Sequence, residues 1–115
     1  MLEKLPVEAI EAMLDALPVD LTFIDADDKI RYFNSFRIFK RPPEIIGQDV
    51  RQCHKEASHP AIDRMVADFK SGAHDMAEHL VEKSGGRKLK VRYLAVRDAS
   101  NQYLGLVEMV EECEN

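Results

Sequence analysis

Val19-Asp20-Leu21-Thr22-Phe23-Ile24-Asp25 runs through Ala26-Asp27-Asp28 into Lys29-Ile30-Arg31-Tyr32-Phe33-Asn34. The two flanks are rich in β-branched and aromatic residues, which suit a pleated, half-buried surface. Between them, Asp25, Asp27 and Asp28 supply turn chemistry, because Asp side chains bond their own backbone and tolerate tight geometry. The stretch therefore reads as a β-hairpin, and the rest of the chain is read outward from it.

Upstream, residues 6–17 read as an amphipathic helix. Pro6 suits the first turn, and Val7, Ile10, Leu14 and Leu17 recur at spacings of three and four, with Met13 beside them. Glu8, Glu11 and Asp15 occupy the other side. Pro18 ends the helix, since it has no N–H to donate and biases Leu17 away from helical geometry.

Downstream, Pro42-Pro43 breaks the chain, and Pro43-Glu44-Ile45-Ile46-Gly47 reads as one helical turn closed by glycine. A longer helix follows, with Ser58 as N-cap and Pro60 in the first turn. Ile62, Met65, Val66 and Phe69 form its stripe, Lys70 its basic end and Gly72 its left-handed stop. The last third is strand-like. Residues 75–83 alternate loosely, Ser84-Gly85-Gly86-Arg87 turns, and residues 88–97 alternate Leu89, Val91, Tyr93 and Ala95. Asp98-Ala99-Ser100-Asn101 turns again before a strand from Tyr103 to Val110. The order predicts an α+β domain with helices gathered on one face of an antiparallel sheet.

The chain has 115 residues, enough for one domain, and 45% hydrophobic residues, enough for a packed core. A net charge of −5, with no clustered Lys and Arg, argues against nucleic-acid binding. No apolar run reaches the ~18 residues of a membrane span, and the first residues lack the basic-then-apolar order of a signal peptide. A cytoplasmic protein is expected, with Cys53 and Cys113 as thiols.

The hairpin, with its acidic turn and a second strand ending in Asn34, resembles the opening of PAS domains. Pro43-Glu44-Ile45-Ile46-Gly47-Gln48-Asp49-Val50 resembles the PAS segment with a Glu-Ile-Ile-Gly core, and residues 96–105 resemble the final PAS hairpin. More narrowly, Gly47 to His54 and Asp68-Phe69-Lys70-Ser71-Gly72 resemble a bacterial and archaeal subgroup often appended to hemerythrin-like domains. The resemblance covers residues 17–112. It implies a five-stranded antiparallel sheet of order 2-1-5-4-3, with a ligand cavity between sheet and helices. The division expected is an N-terminal helix over residues 1–17 and a PAS domain over 18–112. No hemerythrin-like, kinase, chemoreceptor or DNA-binding segment lies in this sequence, so an output-domain protein outside it is expected.

The Cys53-His54 pair is the most suggestive chemical feature. A thiolate or imidazole there can ligate haem iron, and PAS relatives include haem sensors. Against this, neighbouring residues do not ordinarily reach one metal together, and the plain alternative is that Cys53 packs while His54 organises a loop. Zinc held by Cys53, His54, His59 and His74 or His79 is disfavoured, because His74 and His79 are spaced to opposite faces of a strand. Flavin is less favoured than haem: light-sensitive relatives carry Asn-Cys-Arg-Phe-Leu where this chain has Asn34-Ser35-Phe36-Arg37-Ile38.

Phe23, Tyr32, Phe33, Phe36, Phe39, Met65, Phe69 and Tyr93 either line a cavity or fill the core, and Tyr32 and Tyr93 need hydroxyl partners if buried. With Cys53 and His54 they form the expected ligand-binding set. Asn34 reads as a structural amide that bonds backbone where strand gives way to helix. Asp25, Asp27 and Asp28 lack the glycine and distal glutamate of a calcium loop and read as a solvated turn. There is no Gly-x-Ser-x-Gly, phosphate-binding loop or His-Glu-x-x-His, so an enzyme is not expected. The leading expectation is a sensory domain that binds a small ligand or cofactor and relays its state through a homodimer. Val7, Ile10, Met13, Leu14 and Leu17 are its candidate interface. The alternative is a ligand-free dimerisation module.

Overall fold

Asp-rich turns favour hairpins, and this one forms: β1 (Asp20–Asp25) and β2 (Ile30–Phe33) pair antiparallel, with Phe23 opposite Tyr32. The computed structural model describes residues 1–113. Asp25 Oδ1 accepts from the backbone N–H groups of Asp27 and Lys29 at 2.9 and 3.0 Å, and Asp28 takes the left-handed conformation at φ 65°. One expectation is corrected here. Asp28 is not a solvated turn residue, because its side chain is 13% exposed and pairs with Arg51 at 3.1 Å and Lys70 at 3.2 Å. The turn is thereby tied to the helix layer.

β3 (Met76–Lys83), β4 (Arg87–Arg97) and β5 (Tyr103–Glu112) form a meander, and β5 closes on β1. The sheet order is β2-β1-β5-β4-β3, as the resemblance implied. Strand alternation sends Ile24, Leu106, Val110, Leu89 and Val91 to one face, where all are buried. Val66 and Phe69 of α2 (His59–Ser71) cover the Ile24–Ile30–Leu106 part of that face. Phe69 is 1% exposed, and burying such a side chain stabilises by roughly 1.5–3 kcal/mol.

Gly72 ends α2 at φ 83°, as expected from its place after Lys70. Ser58 does not cap through its side chain. A 3-10 turn over Glu56–Ser58 runs straight into α2, holding Ser58 in helical rather than extended geometry, from which the hydroxyl makes no cap bond. Two further 3-10 turns, Pro43–Ile45 and Val50–Cys53, bridge β2 to α2. The second opens on a capping box: Asp49 Oδ1 accepts from the Arg51 N–H at 2.9 Å, while Gln52 Oε1 accepts from the Asp49 N–H at 3.0 Å.

The N-terminal helix α1 (Val7–Ala16) buries none of its residues. Asn34 holds its end: Nδ2 donates to the carbonyls of Leu14 and Val19, both at 2.9 Å, and Oδ1 accepts from the Leu21 N–H at 3.0 Å. The structural reading of Asn34 is correct. Among the described residues no helix is long and apolar enough to cross a membrane.

Candidate functional site

On the face of the sheet that meets α2, one row brings polar side chains together. Thr22 on β1, Glu108 on β5 and Tyr93 on β4 stand directly opposite one another, with Ala77 of β3 next to Tyr93. Directly opposed side chains share a face, so Glu108 and Tyr93 lie side by side among core residues. Burial pushes the Tyr93 hydroxyl pKa up, and the Glu108 charge adds to this. Burial likewise raises the Glu108 carboxyl, helped by the Asp20 charge and opposed by His54, the Tyr93 hydroxyl and Arg41.

Two adjoining spaces flank this row. One, of about 330 Å³, runs between α2 and β3 and is lined by Ser58, Ala61, Ile62, Met65, Ala77, Glu78, His54, His79 and Tyr93. The other, of about 200 Å³, is lined by Phe39, Arg41, Val81, Val91 and Glu108, and again by His54, His79 and Tyr93. The three shared residues make the two spaces halves of one cleft. His79, read from the sequence as a surface residue, is exposed but stacks on Tyr93 with ring centroids 5.8 Å apart.

Loop residues 35–41 carry Arg41 and Phe39 to the cleft, and a buried ion pair fixes that loop. Asp20, wholly buried, accepts from the Ile38 and Phe39 N–H groups at 2.9 and 2.7 Å and pairs with Arg37 at 2.9 Å. Arg37 also donates to the Leu21 carbonyl at 3.1 Å and to Thr22 Oγ1 at 3.2 Å.

His54 follows the Val50–Cys53 turn, which places it beside the cleft. Its Nδ1 lies 2.9 Å from the Val50 carbonyl oxygen. That contact calls for a proton on Nδ1 and leaves Nε2 as the nitrogen open to a ligand. Cys53 instead packs against the main core and lines only a space of about 20 Å³. Cys53 therefore does not fit a haem ligand. His54 has a suitable tautomer, but the Arg41 guanidinium and the Glu108 carboxyl wall the space beside it, which suits a small molecule with a polar end better than an apolar macrocycle. His59 Nε2 is bonded to the carbonyl of Arg51 at 2.8 Å, and no cluster of three or more metal-ligating side chains exists among the described residues.

Of the sequence-predicted ligand set, Phe39, His54, Met65 and Tyr93 come together at the cleft. Phe33 and Phe69 belong to the core, and Phe36 is 42% exposed. Phe23 and Tyr32 point to the opposite face of the sheet, because they alternate with inward Thr22 and Ile24 and pair with each other. There the Tyr32 hydroxyl donates to Asp15 Oδ1 at 3.2 Å, and burial, reinforced by Asp15, pushes its pKa up to about 12. Sequence reading missed Arg41 and Glu108. For Glu108 a signal existed: Leu106, Glu108 and Val110 share one face of an otherwise apolar strand. The proposed interface residues Val7 and Met13 are 74% and 57% exposed on α1.

Comparison with known proteins places this geometry among relatives. A family model described as PAS domain matches residues 10–114. No curated protein matches the chain. The crystal structure of a C-terminal domain from Streptococcus mutans is similar at a TM-score of 0.86 and 28% identity, over 94% of this chain and 85% of that one. A sensory box sensor histidine kinase from Vibrio cholerae superposes at 0.64 with 12% identity, over 92% and 90%. The Aer2 receptor of the same organism, a dual PAS–haem oxygen sensor, superposes at 0.55 with 14% identity, over 84% and 95%.

Proposed function

The chain belongs to the PAS domain family, and on that premise we propose that it is a sensory domain holding a small ligand in the cleft between α2 and the sheet. The observation that carries this reading is the Glu108–Tyr93 pair on a core-facing row, with His54 and Arg41 around it. Tyr93 and Glu108 meet each other, and a molecule in the cleft would engage the hydrogen-bonding capacity the pair has left. The similarity to a sensor histidine kinase domain supports sensing as the general role.

The relay is part of the proposal. Residues 1–17 act as the coupling element and residues 18–112 as the sensing domain, working as a cytoplasmic homodimer with an output-domain protein. Support comes from α1, whose apolar stripe is unburied although its end is hydrogen-bonded to the sheet. Ile10→Glu and Leu14→Glu are expected to abolish the dimer and leave the fold intact. A dimer unchanged in both would remove α1 from the interface.

Native mass spectrometry of the protein as purified tests the reading. A bound mass establishes the sensor and its ligand class, and the charge-state series gives the oligomer. A dimer with no bound mass, unresponsive to added metabolites, would favour a ligand-free dimerisation module, the reading that the exposed Val7 and Met13 also suit.

A further inference from the structure

Arg41 differs from most arginines of this chain. Arg31, Arg37, Arg51, Arg87, Arg92 and Arg97 each pair with a carboxylate, whereas Arg41 has no such partner among the described residues. Its guanidinium stands over the Phe39 ring, 6.0 Å from the ring centroid. Arg64 also lacks a carboxylate partner, but it is exposed on α2. Arg41 is half-buried and opens on the cleft. An unpaired guanidinium in a concave, partly desolvated site is the side chain best shaped to take a carboxylate in a two-pronged bond.

The neighbours of Arg41 agree with an anion. Tyr93 brings a hydroxyl donor. The His54 ring is already oriented by the Val50 carbonyl and borders the same half of the cleft. Two acids border the cleft: Glu108 stands in the half beside Arg41, where burial holds it toward its neutral form, and Glu78, exposed to solvent, lines the other half. Beyond Tyr93 the character of the cleft changes: Ile62, Met65 and Ala77 line the larger half. A ligand filling both halves has a charged end and an apolar body.

We propose that the cleft binds a small organic monocarboxylate, its carboxylate on Arg41 and Tyr93 and its apolar body along Ile62, Met65 and Ala77. This rests on the ligand-binding reading above and names the class of ligand. A zwitterion, such as an amino acid, is the competing class. It needs Glu108 ionised to meet an ammonium, so the two classes respond oppositely to Glu108→Gln.

The test titrates the full chain with octanoate and 3-phenylpropionate, with octanol, octylamine and phenylalanine as comparators, followed by amide and methyl NMR shifts. The acids should shift Ile62, Met65 and Ala77 and bind at least about tenfold tighter than octanol or octylamine, the difference one charge-assisted contact supplies. Arg41→Gln should lose that advantage, and Glu108→Gln should keep it. The free variants' spectra report whether each is folded, and Arg41→Lys, which keeps charge but not the two-pronged bond, should fall between. Equal affinity for octanol, a preference for phenylalanine, loss in Glu108→Gln or indifference to Arg41→Gln would each overturn the proposal. If the acids leave the spectrum unmoved while another class of molecule co-purifies, the carboxylate assignment falls and the sensor reading stands. If nothing co-purifies and no probe shifts the cleft, both fall.

Discussion

Arg37 lies 2.9 Å from Asp20, and the Asp20 carboxylate is closed off from solvent. The pair staples the loop carrying Phe39 and Arg41 to the start of β1, because Asp20 also accepts two backbone N–H groups of that loop. Removing one partner of a buried pair strands the other, so Asp20→Ala should destabilise by about 3–5 kcal/mol. Arg37→Met should cost less, since Asp20 keeps its two backbone donors. Urea denaturation of both single variants and the double variant gives the coupling. Equal costs for the singles would show that the backbone contacts of Asp20 contribute little.

Gly105 tolerates no side chain. Its φ is 147°, and a Cβ there would stand 2.2 Å from the Ile24 carbonyl oxygen and 2.9 Å from Phe23 Cζ. It pairs with Asp25 of β1 and Val96 of β4 at the irregular end of the β4–β5 ladder, where neither backbone can withdraw. Gly105→Ala should lose roughly 2 kcal/mol or more, combining backbone strain with overpacking. Gly85→Ala meets open space and is strained only by its φ of 85°, so it should cost less. Thermal melts of the two variants side by side check the order.

Glu108 should make stability fall as pH rises. Its folded pKa is raised above the ordinary value of 4.5, chiefly by burial. Between that value and the higher folded one, the native state binds the proton that the unfolded chain has released. Stability therefore declines with pH across this window. Glu108→Gln has no proton to lose, so its advantage over the parent should be absent at pH 4 and should grow as pH rises through that window. Parallel stability curves for the two proteins would show that the carboxyl is effectively solvated.

The order of elements was legible because each carries its own punctuation. Pro18 stops α1, the Asp-rich turn makes the hairpin, and Gly72 ends α2 in the left-handed conformation. The cleft was only half legible. Tyr93 and Met65 sit on strongly periodic elements, so the pattern alone gives their inward direction. Phe23 and Tyr32 were assigned to the cleft by their aromatic character, yet strand alternation turns them to the other face, and that depended on which of Thr22 and Phe23 faces inward. Arg41 lies in a loop without a period, and the long-range Asp20–Arg37 staple helps bring it to the cleft.

Polar clasps rather than apolar packing hold α1. The helix buries no residue, but Asp15 Oδ1 accepts from the Ser35 N–H at 2.9 Å and from the Tyr32 hydroxyl at 3.2 Å. Asn34 sits beneath, fully buried and bonded three times to backbone. Asp15→Ala removes only the outer clasp, and each hydrogen bond contributes about 0.5–1.5 kcal/mol net, so α1 should lose amide-exchange protection while β4 and β5 keep theirs. Asn34→Ala leaves buried backbone groups unmet and should weaken the whole domain by a further 1–3 kcal/mol or so. A spectrophotometric titration gives an independent readout: Asp15→Ala should bring the Tyr32 hydroxyl down from about 12, because it removes an acceptor and a negative charge together. If α1 stays protected and Tyr32 titrates unchanged, the Asp15 clasp is not what docks the helix, and the α1 stripe must be packed in the dimer.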